Sequence, residues 1–158
     1  MKEQITQWIL ASGGWLVAIF TLTLGYRERK QAREEERLAR TLDYFDSSSQ
    51  RRSIGIALIE GLWANKPDSH DVIVPLIANQ IVYLLLSTTS VDPHNERNLV
   101  RLFMIFKAIP NLNRKYWDRR CDVADAISRK LEGEDKGIPV TPATLKMWMQ
   151  ALGEKVDT

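Results

Sequence analysis

ITQWILASGGWLVAIFTLTLGY, residues 5–26, runs for 22 residues without a charge, and RERKQAREEERLAR, residues 27–40, follows it at once. At about 1.5 Å per residue a helix of that length reaches about 33 Å, enough to cross a hydrocarbon core of about 30 Å. The pair therefore predicts a membrane-spanning helix and its cytoplasmic stop. Lys2 is the one basic side chain ahead of the stretch, whereas Arg27, Arg29, Lys30, Arg33, Arg37 and Arg40 follow it. Basic residues close to a span stay on the cytoplasmic side. The expected topology places the N-terminal flank outside and residues 27–158 inside, in an inner or plasma membrane. A cleaved secretory signal fits less well, because the n-region is weak and no small-x-small site precedes the charges.

Within the span, Gln7, Ala11, Gly14, Ala18, Thr21 and Gly25 alternate steps of four and three, and so share one helical stripe. Lipid tails are as apolar as leucine, so helices in a bilayer associate through close backbone approach at small residues and through polar contacts. The stripe is expected to be the interface between copies of the chain. Trp8 and Tyr26 suit the two interfacial belts. Trp15 falls about 10 Å deeper than Trp8, where a partner helix or a pore-side position would receive it.

The chain divides into a transmembrane anchor at 1–26, a helical stalk at 27–46 and a cytoplasmic domain at 47–158. Residues 27–44 contain no glycine or proline and are rich in Arg, Glu, Ala and Leu, all strong helix formers. Glu36 stands four before Arg40, the spacing of a helical ion pair. Both signs alternate along the stalk, which reads as a solvated rod. The remaining length allows one compact domain. A net charge of +2 gives no global nucleic-acid signature, and a single cysteine, Cys121, excludes an internal disulfide framework.

The fold class expected of 47–158 is all-α, a small bundle of about five helices. Asp46-Ser47-Ser48-Ser49 offers a cap for a helix over about 50–64, with Ile54, Ala57, Leu58, Gly61 and Leu62 as its buried face. Asn65-Lys66-Pro67-Asp68 is a turn. Residues 69–87 hold the second most apolar stretch, with Pro75 expected near the first turn. Its apolar content is short, and Asn79 and Gln80 stand at its centre. Val72 to Leu86 is therefore read as the central buried helix; a second membrane segment or a strand is the lesser reading. Asp92-Pro93 opens the next helix, with Leu99, Leu102, Phe103, Phe106 and Ile109 as its core stripe and Pro110 as its end. A helix over about 113–131 should bury Leu112, Tyr116, Val123, Ile127 and Leu131. Thr141-Pro142 opens the last helix, which should bury Leu145, Trp148, Met149 and Leu152 and close at Gly153.

The motifs that carry chemistry are few. His70 and His94 each stand beside an aspartate at a helix start, and both are read as exposed residues of capped turns. Asp118, Asp122 and Asp125 share a face and are expected to pair locally, Arg114 with Asp118 and Asp125 with Arg129. Neither histidine is preceded by an arginine with four to six residues between them, the spacing found in one helical class of ribonucleases. No cofactor, metal or catalytic residue is expected, and the chain is read as a non-enzyme. The best binding-patch candidate is NRKYWDRR, residues 113–120, where Arg114, Lys115, Arg119 and Arg120 surround Tyr116 and Trp117. Cations track a phosphate backbone and aromatic rings stack on unpaired bases. Arg51 and Arg52 extend the patch if their helix adjoins. The competing reading is an amphipathic helix with its aromatics in the core.

The expected function is a single-pass, homo-oligomeric interaction or scaffold protein whose partners are the bilayer, its own copies and a cytoplasmic protein. The plan of one N-terminal span and a small cytoplasmic helical domain resembles that of some accessory membrane proteins of phage-defence systems, a likeness of architecture. The alternative is a small pore-forming or membrane-perturbing effector, in which Gln7, Ser12, Thr21 and Thr23 would help to line a channel made by several copies. Nucleic-acid binding through the Arg114–Arg120 helix is the second alternative.

Overall fold

The structure, a computed structural model, describes residues 29, 32–33, 36–45, 48–88, 92–133 and 136–154. The apolar stretch at 5–26, and with it the expected interface of Gln7, Ala11, Gly14, Ala18, Thr21 and Gly25, lies outside the described residues. The chain forms two compact units, Met1–Leu42 and Asp43–Thr158. In the first, residues 36–42 are helical. The expected pair is present there, with Arg40 Nη2 2.6 Å from Glu36 Oε1, and the Thr41 hydroxyl donates to the Arg37 carbonyl.

The second unit is built from helices; no strand occurs among the described residues. The helices are α1 (Ser49–Leu58), α2 (His70–Leu86), α3 (Pro93–Ala108), α4 (Leu112–Lys115), α5 (Trp117–Leu131) and α6 (Pro142–Ala151). A π-helical turn, Ile59–Trp63, continues α1, and a 3-10 turn, Pro67–Ser69, leads into α2. Three starts are capped by the side chains the sequence offers. Ser48 Oγ accepts from the Arg51 N–H, Asp92 Oδ1 from that of His94, and Thr141 Oγ1 from that of Thr144.

α2 is the centre of the bundle. Ile73, Val74, Ile77, Ala78, Ile81, Leu84 and Leu85 are all fully buried. By length and composition it could cross a membrane, yet its apolar residues are largely spent inside the domain. Pro75 sits one turn deeper than expected, because the helix begins at His70. The proline gives no N–H to the Asp71 carbonyl, so the start of α2 depends on partners from elsewhere.

Contacts between helices show how they alternate. Along α1 and α3 the pairs Ser49–Asp92, Arg52–Asn95, Ser53–Asn98 and Glu60–Arg101 advance in the same direction, so these two helices run parallel. α2 and α5 also run parallel, with Asp71 against Tyr116 and the C-terminal half of α2 beside the middle of α5. α5 and α6 run antiparallel, since Arg120 near the start of α5 meets Leu152 at the end of α6. α6 packs back on α3, where Trp148 stacks on Phe103 with ring centroids 4.3 Å apart and planes inclined by 11°.

Two further differences from the sequence-based expectation concern α1 and residues 113–131. The face of α1 expected to be buried points to water: Ile54 is 50% exposed and Leu62 47%. Gly55, Ile56, Ile59 and Trp63 are buried instead. A Cβ on Gly55 would stand 2.9 Å from Phe45 Cε2, so only hydrogen lets this side of α1 reach the ring. The π turn then accommodates one extra residue, with the Ala64 N–H bonding the Ile59 carbonyl five residues back. The second difference is that 113–131 is two helices. Tyr116, at φ −121° and ψ 33°, breaks the run. The expected Arg114–Asp118 pair falls across the break, and Arg119–Asp122 forms instead at 3.0 Å.

Candidate functional site

The 112–120 segment is fixed at its start by Asn111, which adopts φ +60° and sends Leu112 into the core. Asparagine tolerates this left-handed conformation better than most residues. One turn later Tyr116 leaves helical geometry, and its hydroxyl donates to Asp71 Oδ1 at 2.7 Å. Lys115 Nζ reaches the same oxygen at 2.6 Å. Both contacts land on the first turn of α2. The Lys115 ammonium, then the Tyr116 hydroxyl, hold the Asp71 carboxyl below its ordinary range. Asp71 in turn raises the Lys115 ammonium, and burial, followed by the bond to Asp71, raises the Tyr116 phenol.

Trp117 and Arg120 form the next layer. Trp117 is 51% exposed, and its ring lies over the Arg120 guanidinium at 4.1 Å. Arg120 itself is only 4% exposed. It donates to the Leu152 carbonyl at the end of α6, and its Nη2 lies 2.7 Å from Glu154 Oε1. A cation at a helix C-terminus satisfies a carbonyl the helix leaves unpaired and complements the helix dipole. Arg120 therefore clamps α6 to α5.

The candidate patch is thus distributed rather than continuous. Arg114 is exposed, Lys115 and Arg119 are tied to Asp71 and Asp122, and Arg120 faces inward. Of the two aromatic residues Tyr116 is buried and Trp117 is half in water. Arg51 is exposed on α1. Arg52 bonds Asn95 Oδ1 at 3.0 Å, and its guanidinium lies 5.9 Å from the centre of the Tyr83 ring.

Tyr83 leads to a feature the sequence reading did not name. Between α2 and α5 lies an open cleft of about 570 Å³. α2 contributes Asn79, Val82, Tyr83 and Leu86 to it, and α5 contributes Cys121, Asp122, Asp125 and Arg129. Asn79 and Tyr83 stand one turn apart on the wet side of an otherwise apolar helix. That polar pair was the signal in the sequence; its acidic counterpart becomes visible only once α5 lies alongside.

The histidines do not converge. His70 is buried, contrary to expectation, with Nε2 2.9 Å from the Ala64 carbonyl, which places a proton on that nitrogen. His94 is exposed at the start of α3. No group of three metal-ligating side chains forms among the described residues. No family model, curated protein or solved structure matches the sequence.

Proposed function

We propose that this chain is a single-pass, membrane-anchored, oligomeric interaction protein whose helical domain faces the cytoplasm. The observation that carries this reading is the fate of the two apolar stretches. Pro67–Leu86 could span a bilayer by composition, but α2 is the core helix of the domain. That leaves residues 5–26, uncharged and followed by six basic residues within 27–40, as the stretch suited to the membrane. An interaction role is supported by α1 and the π turn that continues it, which present Ile54, Ala57, Gly61 and Leu62 to water. Such an apolar helical face is suited to packing against another protein.

The test is a fractionation and labelling experiment on the full chain. The protein should stay with membranes through alkaline extraction. A membrane-impermeant maleimide added to intact cells should label Gln4→Cys and miss native Cys121. Recovery in the soluble fraction, or labelling of Cys121 in sealed cells, would overturn the proposal. The polar side chains Gln7, Ser12, Thr21 and Thr23 within 5–26 favour one second reading, a small pore. Leakage of dye from vesicles carrying the purified protein separates that reading from a scaffold.

A further inference from the structure

We propose that the cleft between α2 and α5 binds a protonated amine carried on an aliphatic stem. Its volume of about 570 Å³ lies within the roughly 300–1,000 Å³ range of small-molecule sites. Leu86 and Ala126 are buried in its floor, with Val82 beside them. An apolar floor of this kind receives methylene groups. At the rim, Asp122 already shares its charge with Arg119 at 3.0 Å. Asp125, one turn further along α5, is exposed, and among the described residues no ion pair or hydrogen bond engages it. A carboxylate in that condition above an apolar floor is matched by a cation with an apolar tail.

The α2 wall agrees with the same chemistry. Tyr83 is 44% exposed there. The face of a tyrosine ring attracts cations. The Asn79 amide, exposed on the same wall, has a carbonyl oxygen that can accept from an ammonium N–H.

Cys121 lines the cleft and is the one cysteine of the chain, so its alkylation reports occupancy. The experiment uses the full chain in nanodiscs at fixed pH and ionic strength, with N-ethylmaleimide as the thiol probe and hexylamine hydrochloride as the ligand. Hexylamine should slow alkylation saturably. Hexanoate should give no protection. Asp125→Asn, an exposed substitution, should raise the half-protecting hexylamine concentration about fivefold, the scale of one exposed charge contact. Asp122→Asn should raise it less, since Arg119 already competes for that carboxylate. Unaltered melting of both variants shows that the fold is intact. Equal protection by hexanoate, an unshifted Asp125→Asn titration, or unslowed alkylation at saturating hexylamine each overturns the proposal.

Discussion

Replacing Gly137 by alanine should unseat the loop that closes the end of α2. Gly137 has φ +85°, and a Cβ there would lie 1.9 Å from the Leu85 carbonyl oxygen and 2.3 Å from its carbon. Both are backbone atoms of the packed central helix, so no rotamer change relieves the overlap. The loop must lift. Lifting breaks the 2.8 Å bond from the Ile138 N–H to the Leu84 carbonyl, a loss of about 1 kcal/mol. It also exposes Ile138, now 1% accessible, at about 2 kcal/mol. The sum, about 3 kcal/mol, is a large share of the 5–15 kcal/mol typical of a domain. Gly133 and Gly61 serve as controls. Gly133 has φ +102° but nothing within 4 Å of its Cβ position, so Gly133→Ala isolates the conformational penalty, about 1–2 kcal/mol. Gly61 has open space and an ordinary φ, so Gly61→Ala should be neutral or gain up to about 1 kcal/mol. Urea unfolding of the full chain, followed by circular dichroism, ranks the three. If Gly137→Ala proves no more destabilising than Gly133→Ala at equal m-value, the seating of the loop on α2 is refuted.

Three further outcomes are expected. Arg120→Met should destabilise the domain by about 2 kcal/mol through loss of its bonds to Leu152 and Glu154, whereas Trp117→Ala, with half its ring in water, should lose only about 1 kcal/mol; thermal melts that reverse this order would contradict the clamp. Asp71 and Asp92 both have lowered carboxyl pKa values, chiefly through Lys115 and Ser49 respectively. Their contribution is therefore present above the ordinary carboxylate range, near pH 4, and fades as pH falls through the lowered values, so Asp71→Asn should flatten the acid limb of a stability–pH curve and leave the region above pH 6 parallel to wild type. Gly14→Leu should reduce the oligomer mass in mild detergent while Leu16→Ala, on another face, leaves it largely unchanged; an unaltered mass for Gly14→Leu would remove the stripe as the interface.

Local chemistry made much of the fold readable. Asp92-Pro93 and Thr141-Pro142 are helix starts because an acceptor side chain and a donor-free first position suit an N-terminus wherever it occurs. Leu99, Leu102, Phe103 and Phe106 mark a single apolar stripe, so α3 had one face to bury. α1 carries two such stripes, and periodicity does not choose between them. The choice follows from Gly55 meeting Phe45 and from a π turn that resets the downstream register. Tyr116 carries no breaker signal of its own. It leaves the helix where its hydroxyl meets Asp71, 45 residues away in sequence. The cleft was hidden for the same reason, since its walls come from two helices whose adjacency no local pattern encodes.

The burial of α2 has a consequence for how the chain is made. On a ribosome, Pro67–Leu86 emerges as a segment apolar enough to partition into a bilayer, while α5 ends about 45 residues later. At 5–20 residues per second the helix is without that partner for roughly 2–9 s. If residues 5–26 already hold the nascent chain at a membrane, insertion competes with folding throughout that interval. Pro75, Asn79 and Gln80 weaken the segment as a span during the delay, although α2 runs unbroken through them in the finished fold. Replacing Asn79 and Gln80 with leucine would shift the outcome of synthesis toward a second crossing before any change in the finished fold could be measured.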